Sequence, residues 1–219
     1  MDLTNFLFGI ERVIKMSEFI NTDDARRSRI LEASLVEFAD KGYKKASTNT
    51  IVREANVSKG LLFHYFISKK ELYLHLYKHA REAITNELYE KVNFADRDVL
   101  NRMQQSTLVK IESYLQHPLF VELFETASKL LDPDMIQEII ALNKKTTEES
   151  YEKLFSNIDY YAFEDTLNVD RCLEVVRWTV DKISLEWKNS NATLDKEAFE
   201  NLEMDIIHYL DLFREAFYR

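Results

Sequence analysis

Three glycines and two prolines in 219 residues leave few places for tight turns, sheet corners or extended linkers, so the chain is expected to be almost entirely helical. A single cysteine, Cys172, excludes an intramolecular disulfide and any cysteine-only metal cage, and fits a reducing, cytoplasmic compartment. No run of about 18 apolar residues is present, so no segment is expected to span a bilayer. The signatures of the common catalytic machineries are missing as well: there is no H-E-x-x-H, G-x-S-x-G, P-loop or G-x-G-x-x-G. Glu148 and Glu149 adjoin in sequence and so diverge on a helix, which makes them poor acid–base partners. No catalytic residue and no cofactor is assigned, and enzymatic function is not expected.

What is there is apolar material for real cores, 46% of the chain, and an uneven distribution of charge. The net charge is -9, yet residues 41–70 hold seven Lys and Arg (Lys41, Lys44, Lys45, Arg53, Lys59, Lys69, Lys70) against Glu54 alone. That segment is +6, which leaves -15 on the rest of the chain. Such asymmetry suits a protein with one face for phosphates and an acidic body that avoids non-specific adhesion. Residues 1–23 are taken as an N-terminal extension. The apolar cluster within MDLTNFLFGIERVIK follows Asp2, lacks a basic start and lacks an A-x-A site, so no signal peptide is expected there. Two readings stay open for residues 1–15: an extension upstream of a start at Met16, or a short helix packed on the body.

From Asp24, helical periodicity (Leu31, Leu35, Phe38) runs to Lys41-Gly42, where glycine can take the left-handed C-cap position. Ser47 offers an N-cap to a second helix over 48–55. Ser58 caps a third, Lys59 to Phe66, and Asn56 between them tolerates the left-handed conformation that so short a turn needs. Ser68, with Glu71 three residues on, makes a capping-box pattern that opens a long fourth helix to about Lys91. Further helices are predicted near 96–116, 118–131, 133–155, 167–189 and 195–218.

The run STNTIVREANVSKGLLFHYFISKKELYLHLY, residues 47–77, resembles the DNA-binding domain of the TetR family of bacterial repressors. The matching positions are Ile51-Val52, Ala55-Asn56-Val57-Ser58, Gly60, Leu62-Phe63, Tyr65-Phe66 and Ser68-Lys69-Lys70-Glu71-Leu72. Two departures stand out. Phe63 occupies a position where the family usually has tyrosine, and Asn56 one where glycine is common. The resemblance implies an all-α fold: a three-helix helix-turn-helix DNA-binding domain, here 24–70, and a C-terminal helical ligand-binding and dimerisation domain, here 71–219. It also implies a homodimer on a palindromic double-stranded operator, released as a repressor when a small apolar or amphipathic effector binds. Outside that resemblance, a helical protein-interaction module whose basic segment docks an acidic partner remains the alternative.

Ile51, Ala55, Val57, Leu62 and Phe66 are expected to form the core of the three helices. The DNA-binding set is Ser47, Thr48, Ser58, Lys59, Gly60, Phe63, His64, Tyr65 and Lys69. Ser58 sits where a helix N-terminus can meet a phosphate. Lys59 can donate to guanine, Gly60 allows close approach of the backbone, and Phe63 can touch a thymine methyl. Thr48, Tyr65 and Lys69 resemble the family's phosphate clamps.

Toward the C-terminus, a pair of long apolar stripes recurs every three or four residues: Cys172, Val176, Val180, Ile183 and Trp187, then Phe199, Leu202, Ile206, Leu210, Phe213 and Phe217. Helices with that much apolar surface either close the chain's own core or bury it against a second subunit, and a dimer interface built as a four-helix bundle is expected. Tyr114, His117, Phe120, Phe124, Tyr151, Phe155 and Trp178 are candidates to line an effector pocket. Glu71, His75 and His79 share one face of the fourth helix at i, i+4, i+8, but a solvated face explains them and no metal is assigned.

Overall fold

A computed structural model of the protein describes residues 24–190 and 196–219; the expectations for residues 1–23 lie outside this range. The described residues form α1 (Ala25–Lys45), α2 (Thr48–Glu54), α3 (Lys59–Tyr65), α4 (Lys69–Lys91), α5 (Val99–Gln116), α6 (Pro118–Ala127), α7 (Pro133–Phe155), a 3-10 turn (Tyr160–Ala162), α8 (Val169–Ser190) and α9 (Lys196–Phe217). Among them, extended pairing is limited to an isolated bridge between Phe163 and Tyr218. The fold is all-α, as expected.

The helices gather into two compact units. Among the described residues, one comprises 24–84 together with Gln116–Lys144, the other Thr85–Leu115 together with 145–190 and 196–219. The expected boundary at residue 70 falls at the start of α4, whereas the units separate further along that helix, between Ile84 and Thr85.

In the first unit α1 packs on α6 and α2, and α2 on α3. Ile30, Leu35, Phe38, Ile51 and Leu62 are fully buried, and Phe38 meets the Tyr73 ring edge-on at 5.0 Å. Val57, expected in this core, is only half-buried because it lies in the turn. Gly42 interrupts α1 with φ 68° and ψ 167°. The sign of φ is the one expected, but ψ is extended, so the backbone steps out of the helix for one residue and a last turn then closes to Ala46. The helix predicted over 118–131 stops at Ala127. Beyond it the backbone tightens, Lys129 N donating to Thr126 O and Leu130 N to Ala127 O, both at 3.2 Å, and Asp132, which precedes Pro133, is disfavoured from helical geometry.

The second unit centres on α8 and α9, which pack together. Cys172, Val176, Val180, Phe199, Leu202, Ile206, Leu210 and Phe213 are all buried inside it, with Ile183, Trp187 and Phe217 packed against the same core. Periodicity alone leaves these stripes to the chain's own core or to a second subunit. In this chain their side chains are buried or half-buried where α8 and α9 pack on each other. Arg102 is fully buried there, and its guanidinium donates to the carbonyls of Phe94, Asp96, Leu154, Ser156 and Asn157. Five donors meeting five carbonyls tie the start of α5 to the end of α7. At the C-terminus, Arg214 donates to Asp98 at 2.6 Å and to Asn101 at 2.8 Å, and the Tyr218 hydroxyl donates to Asp98 at 3.0 Å.

Candidate nucleic-acid interface

Three serine caps and one asparagine set the geometry of the helix-turn-helix. The Ser47 Oγ accepts from Thr50 N at 3.4 Å and the Ser58 Oγ from Leu61 N at 3.1 Å. Asn56 takes φ 50°, and the turn closes by Val57 N donating to Val52 O (3.0 Å) and Asn56 N to Arg53 O (3.1 Å). This paired closure is the Schellman arrangement with asparagine in the left-handed position, so the departure from glycine costs the turn little. At α4, Ser68 caps Glu71 N at 3.1 Å, and Glu71 reaches back to Ile67 N at 2.7 Å, one residue before the partner a strict capping box predicts.

Helix α1 grips α2 at both ends, through contacts that the sequence reading missed. Glu37 accepts from Ser47 N at 2.8 Å, and Arg29 Nε donates to Ala55 O at 3.0 Å. Ile51, Ala55, Leu62 and Phe66 are buried as expected, so the outward faces of α2 and α3 are fixed relative to a packed core.

On that outward face Ser58, Lys59, Gly60, Phe63 and His64 are exposed, while Ser47, Thr48, Tyr65 and Lys69 are half-buried. The Lys59 ammonium donates to Asn49 Oδ1 at 3.2 Å, which holds it across the crossing of α2 and α3. A Cβ on Gly60 would meet only Ser58 Oγ, at 3.9 Å, so packing in the chain gives no reason for glycine. The Phe63 ring is 38% exposed, a large apolar surface beside a lysine. Lys69 Nζ sits 4.8 Å over the Tyr43 ring and reaches Lys44 O at 3.5 Å; burial holds its pKa below the ordinary lysine value. The Tyr65 hydroxyl donates to the carboxylate of Asp24, the N-cap of α1. That bond raises the phenol's pKa and lowers the carboxyl's.

The basic segment is less available than its count suggests. Lys41 pairs with Asp40 at 2.6 Å, Arg53 with Glu54 at 2.8 Å and Lys70 with Glu138 at 2.7 Å. Lys59 and Lys69 instead meet an amide, a ring and a carbonyl, which leaves their charge uncompensated by these contacts.

The other candidates are placed as follows. Glu71 serves the α4 cap, and His75 Nε2 faces Arg27 Nη2 at 3.5 Å with its ring 5.3 Å from Phe66. His117 and Phe120 lie together in the first unit, rings 5.3 Å apart, and Phe124 meets Tyr77 at 5.2 Å. Tyr151 and Phe155 pair at 5.4 Å in the second unit, where Tyr114 lies 6.0 Å from Phe199. Tyr151 is buried and donates to Asp181 at 2.8 Å. Trp178 is 61% exposed on α8.

Residues 30–76, which contain the whole helix-turn-helix, match the family model described as bacterial regulatory proteins, tetR family. That segment thus carries the DNA-binding domain of the TetR family. The chain is 24% identical over 165 residues to the HTH-type transcriptional repressor KstR2 of Mycobacterium tuberculosis, covering 75% of this chain and 82% of that one. Against the repressor KstR of Rhodococcus jostii it is 27% identical over 175 residues, covering 79% and 78%. Among solved structures, a transcriptional regulator from Cytophaga hutchinsonii superimposes with a TM-score of 0.65 at 16% identity, over 90% of this chain and all of that one. These comparisons support a transcriptional regulator of TetR type, with repressor relatives. No helix among its described residues is long and apolar enough to cross a membrane.

Proposed function

We propose that the protein is a homodimeric repressor that reads a near-palindromic operator with α3 and is released by a small apolar or amphipathic effector. The observation that carries the reading is the outward edge of α3. Lys59 is pinned by Asn49, Gly60 is a glycine the fold does not need, and Phe63 is exposed beside them. Lysine suits guanine, a missing side chain suits close backbone approach, and an exposed ring suits a thymine methyl. Ser47, Thr48, Ser58, His64, Tyr65 and Lys69 surround that edge as phosphate or groove contacts.

The dimer face is reassigned to the apolar side chains that α8 and α9 leave outside their own core. Val175, Trp178 and Leu185 on α8, with Met204, Tyr209 and Leu212 on α9, are between 39% and 61% exposed. Six large apolar groups on two adjoining helices suit an isologous four-helix contact. The apolar character of the effector is supported by the relative whose solved structure is named a ketosteroid transcriptional regulator. Its signal has a covalent route in α4, which runs out of the first unit into the second. An effector relieves repression only if it binds the DNA-incompetent state more tightly.

Selection from a pool of genomic fragments tests the function. Enrichment of an inverted repeat is the expected result. Salt-labile retention with no enriched sequence would replace the repressor with an interaction module that docks acidic partners.

A further inference from the structure

Tyr65 stands at the C-terminal end of α3, where the proposed function places a phosphate contact. Its phenol is already engaged: it donates to one oxygen of Asp24, 41 residues away in sequence. The other carboxylate oxygen accepts from Arg26 N at 2.9 Å and caps α1. Asp24, Arg26 and Tyr65 all lie at the protein surface or half-buried, so solvent and an incoming strand can reach them. Arg26 and Arg27 act on this pair by charge, and Arg27 is turned toward the Phe66 ring, 5.8 Å from its centroid, and toward His75.

A phenol has one proton to donate. While it points at Asp24 it cannot also donate to a phosphate, and a phosphate that approaches the phenol approaches a carboxylate with it. We propose that Asp24 is an affinity-setting residue that competes with the DNA backbone for the Tyr65 hydroxyl. It acts through Tyr65 and touches no base, so it is a positioning residue whose effect falls on operator and random DNA alike. It sets how tightly the protein holds any duplex and leaves the preference among sequences to α3. The inference rests on the DNA-binding reading above.

The test compares four full-length proteins, the wild type, Asp24→Asn, Tyr65→Phe and the double variant, on the selected operator and on random duplex across a salt series. Asparagine is an equally good N-cap, so Asp24→Asn keeps α1 capped, and its melting temperature is measured to verify this. Asp24→Asn is expected to tighten binding to both DNAs by about tenfold at low salt, with their ratio unchanged and the gain shrinking as salt rises. In the Tyr65→Phe background the same substitution is expected to gain less than about twofold, because the two residues act as one unit. A gain that persists undiminished without the hydroxyl would overturn the proposal in favour of simple charge repulsion. Weaker binding by Asp24→Asn would overturn it as well, since Asp24 would then be holding the phenol in its productive place. Failure of the wild type to bind any duplex would remove the DNA reading itself, an outcome distinct from both.

Discussion

The outward faces of α2 and α3 and those of α8 and α9 are built on opposite terms. The first pair are seven residues each, and their exposed positions are polar, basic or backbone, with Phe63 as the large apolar exception. The second pair are 22 residues each and expose Trp178, Leu185, Met204 and Leu212 at more than half their surface. The difference teaches where function sits in a helical protein. The regular apolar stripe of each helix is consumed by the chain's own core, and the partner is indicated by what that core leaves over: charge and glycine in one pair, apolar groups in the other.

The largest effect on this contrast is expected from removing what holds the second unit together. Arg102→Ala removes a fully buried guanidinium from five carbonyls, of which Leu154's lies in a buried residue, and should destabilise that unit by about 3 kcal/mol, read as a lower urea midpoint. Next comes the leftover apolar face. Trp178→Glu combined with Leu212→Glu places charge on exposed positions, so the fold should survive. Sedimentation at micromolar concentration should fall from twice the 26.0 kDa chain mass to a single copy. The same pair of charges placed at Val176 and Ile206 would unfold the chain, because those side chains are 1% and 2% exposed.

A smaller and sharper test uses Gly60. Alanine there meets only Ser58 Oγ, at an ordinary 3.9 Å, and favours helix, so Gly60→Ala should leave the melting temperature unchanged or raise stability by up to about 1 kcal/mol while weakening operator binding. Reduced stability with intact binding would return Gly60 to a purely structural role. The smallest effect concerns His75. Burial, then the Arg27 and His79 charges, push its pKa below the ordinary 6.5, with Glu82 acting the other way and Lys78 adding to the push. The unfolded chain therefore binds this proton more readily than the folded one. Stability from neutral His75 is present above pH 6.5 and is lost as pH falls through that value and below. His75→Gln should flatten that acid limb in a pH series of thermal melts.

Local chemistry made much of the fold legible from sequence. Ser47, Ser58 and Ser68 cap helices in the positions read for them, and Asn56 adopts the positive φ its turn demands. These features depend on neighbours two to five residues away, which a sequence displays directly. Contacts that depend on packing were not legible. Glu37 to Ser47, Arg29 to Ala55 and Tyr65 to Asp24 join residues 10, 26 and 41 apart, and nothing in the spacing selects those pairs over other combinations. The stripe of Cys172, Val176 and Val180 was visible, but periodicity reports only that a face is buried, and whether the cover is the same chain or a second copy is decided by the other helix.

The central claim is that α3 reads bases while its surroundings hold phosphates, and a comparison of Lys59→Ala with Lys69→Ala on the selected operator tests it most directly. Lys59→Ala is predicted to weaken operator binding by about 1–3 kcal/mol and to relax the preference at one base pair. Lys69→Ala is predicted to weaken all duplexes equally and to reduce the salt slope by about one unit. Equal losses on operator and random DNA in both variants would contradict the account.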